Sequence, residues 1–458
     1  MTAALNPKIP PRIGPRPLAL HMALEGWILQ QSFAGLMESS GAWPQSNPNS
    51  SAWPLANLLR AAGSQKESPR SPLEVVAEEA GQKTPGGRKQ NLENHGPEND
   101  SSKSPWRDAL QPAPFIAALA REGHARMESF VRGVRAYQSH SFQRVLAEPP
   151  SIWRRGVATL RDYGGPQGAP AVLFVPSLIN RAYILDLAED RSLLRAAAAA
   201  GLRVLLLDWG EPGDAESQFN LEDYIDGVLI PALEHVKTIT GQMPRMAGYC
   251  IGGTLAAAPA VLRPDLVSAL ALLAAPWDFH SGTEASRVLL KISRPALEIA
   301  LGAHGSASVD LLQALFASLD PTLVGRKFRR FASLDPASEP ARRFVALEDW
   351  LNDGVPLAGP VAEEVFFRWY GNNDPAQGRW LVRDTVIDPG RIACPTLAFI
   401  PTLDRIVPPE SARALADAIP GAKTATVELG HIGMVSAASA VTRVFNPLID
   451  WLRNPPKH

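Results

Sequence analysis

From residue 171 onward, uninterrupted apolar runs alternate with stretches whose apolar residues recur every three to four positions. The runs are AVLFVPS (171–177), RVLLLDWG (203–210), RMAGYC (245–250) and VSALALLAA (267–275), and later CPTLAFIPT (394–402) and TATVELGH (424–431). A strand that is apolar at successive positions is covered on both faces, and helices between such strands provide the crossovers of a parallel sheet. The pattern therefore predicts an α/β domain. IWRRGVATLRDYG (152–164) reads as a strand opening that domain. After APWDFH the strand rhythm stops, and a mostly helical pattern fills 281–385 before the rhythm resumes. An insertion at the carboxyl edge of a parallel sheet lies over the crevice where such sheets bind ligands, so this one is expected to form a cap.

The core is thus expected in two parts, 151–280 and 386–458, around the cap at 281–385. Residues 113–150 carry helical periodicity. Residues 38–112 are rich in Ser, Pro, Asn, Gly and charge, poor in β-branched side chains, and read as a disordered linker. Within residues 1–37, Leu18, Met22, Trp27, Ile28, Phe33 and Leu36 predict an amphipathic helix over 16–37 whose apolar face needs a partner. No apolar run is long enough for a membrane span, and the N-terminus lacks the apolar core and cleavage site of a signal peptide.

Composition then narrows the function classes. In 458 residues of net charge −1, positive and negative side chains nearly cancel, so no field favours nucleic acid or an anionic membrane. Two cysteines, Cys250 and Cys394, make neither a disulfide framework nor a metal cage, and they fit a reducing cytoplasm. Cys394 starts a buried strand and reads as core.

Cys250 is placed differently. RMAGYCIGGTLAAAPAVL runs strand, sharp turn, helix, and Gly248-Tyr249-Cys250-Ile251-Gly252 meets the spacing of a nucleophile elbow with sulfur in place of oxygen. The helix beginning after Cys250 aims its N-terminal dipole at the sulfur and favours an anionic nucleophile. The backbone N–H of Ile251 is a candidate oxyanion donor, with a second from the loop after VLFVP, at Ser177 or Leu178. A thiol nucleophile needs a base and an orienting acid, in the chain order nucleophile, acid, histidine. Among nine histidines, His431 in LGHIGM directly follows a predicted strand, and Asp404 in PTLDRIVPP follows the strand before it. Cys250, Asp404 and His431 are the candidate catalytic residues. An acyl group on sulfur remains a thioester and keeps the free energy to acylate an alcohol. The elbow therefore suits transfer from an acyl thioester to a hydroxyl better than simple ester hydrolysis.

These residues resemble the polyhydroxyalkanoate synthases. GYCIGGT (248–254) is similar to that family's lipase-like box with cysteine as nucleophile, and VPSLINRAYILDL (175–187), DWGEP (208–212), WLNDGVPLAGP (350–360), LDRIVPP and GHIG match further family segments in order. The resemblance spans about residues 150–455. It implies an α/β-hydrolase fold with a mostly parallel central sheet, an inserted helical cap and N-terminal helices. The implied activity is polymerisation of (R)-3-hydroxyacyl-CoA with release of CoA, without a cofactor, at a polyester granule surface in the cytoplasm, by a homo-oligomer or with a partner subunit. Cys250 would carry the acyl chain. His431 would be the base, and Asp404 would orient His431 or help activate the hydroxyl. Tyr249 and Trp350 are candidate substrate-binding residues, with packing as the plainer reading of Trp350 and a solvated loop as that of Asp353, while Asn180 and Asp208 read as loop-holding. Leu178 stands where the family usually has tryptophan. Two other readings remain at this point: a hydrolase acting as thioesterase or depolymerase, and a non-catalytic granule-associated protein.

Overall fold

Eight strands form one sheet, in the spatial order 151–155, 158–164, 203–208, 171–175, 245–249, 269–273, 396–401 and 423–427, in a computed structural model that describes residues 12–39, 112–281 and 284–456. The N-terminal helices are α1 (Leu18–Ser39) and α2 (Pro112–Gln138). The sheet opens on a hairpin, β1 (Ser151–Arg155) and β2 (Ala158–Gly164), where a single strand was expected. The chain reverses at Gly156, whose φ of +56° suits glycine. Next come β3 (Ala171–Val175), α3 (Leu193–Ala199) and β4 (Arg203–Asp208). Helix α4 (Leu221–Tyr224) then runs through a π turn (Ile225–Leu229) into α5 (Ile230–Thr240). The strand β5 (Arg245–Tyr249), helix α6 (Ile251–Leu262) and strand β6 (Ala269–Leu273) follow. β2 pairs antiparallel with β1 and β4, and the other pairs are parallel.

Period-two alternation divides each central strand between two cores. Leu173, Leu205, Leu270 and Leu272 pack with Leu255 of α6 on one face, while Val172, Phe174, Val204, Leu206 and Ala271 pack with Leu193 and the C-terminal Leu448 on the other. This is why the runs read as continuously apolar.

Between β6 and the rest of the sheet come α7 (Glu284–His304), β7 (Ser306–Ala307), α8 (Val309–Leu319), α9 (Leu323–Phe331) and α10 (Glu339–Asn352). The insertion ends with β8 (Leu357–Ala358), α11 (Gly359–Glu363), a π-helical turn (Glu364–Gly371) and a small hairpin, β9 (Leu381–Val382) and β10 (Thr385–Val386). The sheet is completed by β11 (Thr396–Pro401), α12 (Pro409–Ala418), β12 (Lys423–Val427), α13 (Gly433–Ser436) and α14 (Asn446–Arg453).

Packing divides the chain into two units, Met1–Ile28 with Arg126–His458 and Leu29–Ala125. Of the second, the described residues are the helical stretches 29–39 and 112–125, so most of the expected linker at 38–112 lies outside the described residues. The helical reading of 113–150 needs correcting, because the helix ends at Gln138 and residues 140–150 are without regular structure. In the first unit, Phe130, Val134 and Tyr137 of α2 pack on Phe328, Phe331 and Val345 of the insertion. Gly133 allows the close approach, since a Cβ there would meet the carbonyl of Phe328. The expectation for the first helix also changes over 18–28. Met22 and Trp27 are exposed while His21 and Glu25 are buried, because Glu25 pairs with Arg329 and His21 bonds a backbone carbonyl.

Candidate active site

The apolar strand β5 delivers Tyr249 to the carboxyl edge, and the chain turns into α6 within one residue. At that turn Cys250 takes φ 56° and ψ −134°, a conformation that costs a non-glycine residue about 1–3 kcal/mol. Hydrogen bonds on both sides hold it. Its N–H donates to the carbonyl of Leu273 on β6 at 2.9 Å, and its own carbonyl accepts from Gly253 at 2.8 Å. The flanking glycines are needed for space. A Cβ on Gly252 would collide with the carbonyls of Val175 and Pro176, and one on Gly248 with the backbone of Gly253. The glycine spacing thus lets β3, β5 and α6 approach closely enough to present the sulfur.

His431 lies on the loop after β12 and Asp404 on the loop after β11. The imidazole Nδ1 and Asp404 Oδ2 are 2.6 Å apart, and both residues are buried. The other carboxylate oxygen, Oδ1, accepts from the backbone N–H groups of Ile406 at 2.8 Å and Val407 at 2.9 Å. Both oxygens of Asp404 are thereby engaged by the protein itself. Burial alone would lower the pKa of His431, but the charges and hydrogen bonds of Cys250 and Asp404 outweigh it and raise the pKa to about 10. With Nδ1 on Asp404, Nε2 is left for the sulfur. Tyr249 holds the histidine loop, its hydroxyl donating to the carbonyl of His431 at 3.2 Å and its ring lying 5.2 Å from the imidazole.

Cys250, His431, Tyr249 and Ile251 line one cavity of about 360 Å³ under the inserted helices. Its walls also carry Phe316, Val324, Leu351 and Val407, so the lining is largely apolar. The Leu178 side chain points elsewhere, against Trp209 and Tyr224, while its neighbours Ser177 and Ile179 face the cavity. Among the described residues, neither the Leu178 nor the Ile251 backbone N–H has a protein acceptor. Trp350 is buried on the cavity wall and donates from Nε1 to the carbonyl of Arg181 at 2.7 Å, which ties the insertion to the loop after β3. Arg181 also pairs with Asp353 at 3.0 Å, Asp208 bonds Arg161 and the N–H of Gly210, and Asn180 takes a positive φ of 66° on the cavity wall. No group of three or more His, Cys, Asp or Glu among the described residues could hold a metal ion.

One wall residue has no signal in the sequence. Tyr370 lines the cavity and is close enough to Cys250 and Asp404 that burial first, and their charges next, push its phenol well above the ordinary range. It comes from the π-helical turn Glu364–Gly371, where the wider turn breaks the periodicity that would have placed it on a face.

The other thiol differs in kind. Burial pushes Cys394 up to about 11, so it stays protonated at neutral pH, and thiolates are what alkylating reagents attack. Iodoacetamide at pH 7.5 should therefore label one thiol per native chain, at Cys250, and a second only after denaturation. Peptide mapping that finds Cys394 modified first would contradict this.

The alpha/beta hydrolase fold family matches residues 170–438. Similar proteins include the poly(3-hydroxyalkanoate) polymerase subunit PhaC of Allochromatium vinosum, 28% identical over 311 residues that cover 66% of this chain and 87% of the relative. The subunit of the same name from Thiocystis violacea is 30% identical over 293 residues, 63% of this chain and 81% of that one. That from Haloferax mediterranei is 30% identical over 285 residues, covering 61% of this chain and 58% of the longer relative.

Proposed function

The chain belongs to the poly(3-hydroxyalkanoate) polymerase family within the α/β-hydrolase superfamily, and from that premise we propose that it transfers (R)-3-hydroxyacyl groups from CoA onto a growing polyester. The observation that best supports this reading is a sulfur nucleophile and an Asp404-held imidazole facing one apolar cavity beneath an inserted cap. The family premise favours transfer over hydrolysis.

In the proposed reaction the Cys250 thiolate attacks the thioester carbonyl of the substrate. The backbone N–H groups of Ile251 and Leu178 receive the developing oxyanion. Collapse forms a thioester on Cys250 and expels CoA, which takes its proton from the His431 imidazolium. Acylation removes the thiolate charge that had raised the pKa of His431. The ring then becomes the base the next step requires. It takes the proton of a 3-hydroxyl group, whose oxygen attacks the Cys250 thioester; an ester forms and the sulfur leaves as thiolate. Asp404, whose oxygens are both occupied, serves His431 in this scheme rather than the substrate hydroxyl. CoA enters and leaves as part of the substrate, and no separate cofactor takes part. The relatives are named subunits, so the active form is proposed to include a partner subunit or further copies of this chain, working at the surface of the accumulating polyester in the cytoplasm. No helix among the described residues is long and apolar enough to cross a membrane.

The test is to follow CoA release and product from purified chain and (R)-3-hydroxybutyryl-CoA. Release with chloroform-soluble polyester is the expected result. Release with free 3-hydroxy acid alone would make the chain a thioesterase. Absence of release from hydroxyacyl-CoA of short and medium chain length would overturn the proposal.

A further inference from the structure

The segment ahead of the hydrolase core is bound where a separate targeting helix would have no reason to be. Arg12, its side chain 8% exposed, bonds Asp349 of α10 through Nε at 2.6 Å and Nη2 at 3.0 Å, and also donates to the carbonyls of His140 and Phe142. The Tyr137 hydroxyl donates to the same Asp349 at 2.9 Å. Arg16 donates from its backbone to Asn352 at 3.0 Å and from Nε to Asp310 at 2.8 Å. At Gly14 a Cβ would overlap the amide of Asn352, so the segment lies flush against α10. Pro15, Arg16 and His21 form part of the wall of the cavity that contains Cys250.

His21 is the informative member. It is 4% exposed, and its Nε2 is 3.0 Å from the carbonyl of Arg16. A carbonyl can only accept, so Nε2 carries the proton. Burial lowers the pKa of the ring, the bond to the Arg16 carbonyl opposing it and the nearby Lys327 charge adding to it, so the neutral form is favoured. Nδ1 is then a bare acceptor, and among the described residues no donor meets it. Nδ1 is not sealed away from the cavity that His21 lines, so a donor entering that cavity can reach it.

We propose that residues 12–28 complete the substrate cavity, with Arg12 and Asp349 as positioning residues and His21 as a residue that accepts a hydrogen bond from an O–H or N–H of the bound hydroxyacyl thioester. This rests on the acyl-transfer reading above. The donor is either the 3-hydroxyl of the acyl group or an amide of the CoA arm. A segment held in this way also keeps water from the Cys250 thioester, which water and a hydroxyl group can both attack.

The experiment uses the full chain and compares wild type with His21→Phe, which keeps ring volume and removes the acceptor, and with Arg12→Ala and Gly14→Ala, which loosen the segment. The initial burst of CoA release is measured with (R)-3-hydroxybutyryl-CoA and with butyryl-CoA, and the share of free acid in the product is recorded. His21→Phe should raise KM about 3- to 10-fold, the weight of one hydrogen bond between neutral groups. A rise with the hydroxylated substrate alone identifies the hydroxyl as donor, and an equal rise with both identifies the arm. Arg12→Ala and Gly14→Ala should raise KM and the free-acid share together, and Arg12→Lys should restore part of each. If His21→Phe fails to fold, the two segment variants carry the test. Unchanged KM and unchanged product ratio in the variants that fold would overturn this inference alone, while a wild-type chain that releases no CoA would remove the acyl-transfer reading and this inference together.

Discussion

Cys250→Ala should lower the rate of CoA release by about 10⁴-fold or more, the scale seen when a covalent nucleophile is deleted from a cooperating group of residues. The substitution removes only Sγ from a position whose backbone is fixed from outside, by Leu273 and Gly253. The fold should survive, and an unchanged thermal midpoint is the control. Cys250→Ser should fall between the two. A serine hydroxyl must be deprotonated before it attacks, and its acyl ester gives up much of the energy that sulfur would have kept for the second transfer. A burst assay with intact-mass detection of the acylated chain measures both effects. Activity of Cys250→Ala within tenfold of wild type would mean that the chemistry runs elsewhere.

Asp404→Asn should cost about 10³- to 10⁴-fold in kcat with little change in size or packing. The cause is directional. Two backbone N–H groups need an oxygen at Oδ1, so an asparagine would keep its carbonyl there and turn its NH₂ toward His431. Nδ1 would then have to accept, the ring proton would move to Nε2, and the imidazole would present the wrong tautomer to its substrates. Stability should respond with a definite sign. His431 is raised from 6.5 to about 10, so its contribution is complete below pH 6.5 and is lost as pH rises through 10. The variant lacks one of the charges responsible. Its deficit in thermal midpoint relative to wild type should therefore be largest near pH 6 and shrink toward pH 10. A deficit that grows with pH would refute the assigned charge state of the ring.

The fold was legible because strands buried on both faces read as short continuous apolar runs that alternate with helical stretches. AVLFV and ALALL are apolar at each position since the alternating side chains enter two different cores. Cys250, Asp404 and His431 stood out because each follows a strand, and a parallel sheet brings such positions to one edge. Other features depended on information that periodicity does not carry. Val157 beside Gly156 gave no sign that IWRRGVATLRDYG folds back on itself. The turn is fixed partly by Glu216, far away in sequence, whose carboxylate accepts from the N–H of Val157 at 3.0 Å. The N-terminal helix was assigned its inward face by hydrophobicity, yet the buried groups over 18–28 include His21 and Glu25. Arg329, the partner of Glu25, lies on a helix some three hundred positions later. Trp350 was singled out by resemblance; it packs in the core and also donates to the carbonyl of Arg181, a contact that periodicity does not specify.

The placement of the insertion between β6 and β11 has a consequence for the newborn chain. As the ribosome proceeds, β6 (Ala269–Leu273) can pair with β5 at once, but its other edge must wait for Thr396–Pro401. At ordinary translation speeds that interval is roughly ten seconds. During it a leucine-rich strand offers open backbone groups to any neighbouring polypeptide, with the hazard of clumping that such edges bring. The intervening helices form from local contacts meanwhile, so synthesis at lower temperature or with abundant chaperones should favour recovery of intact molecules.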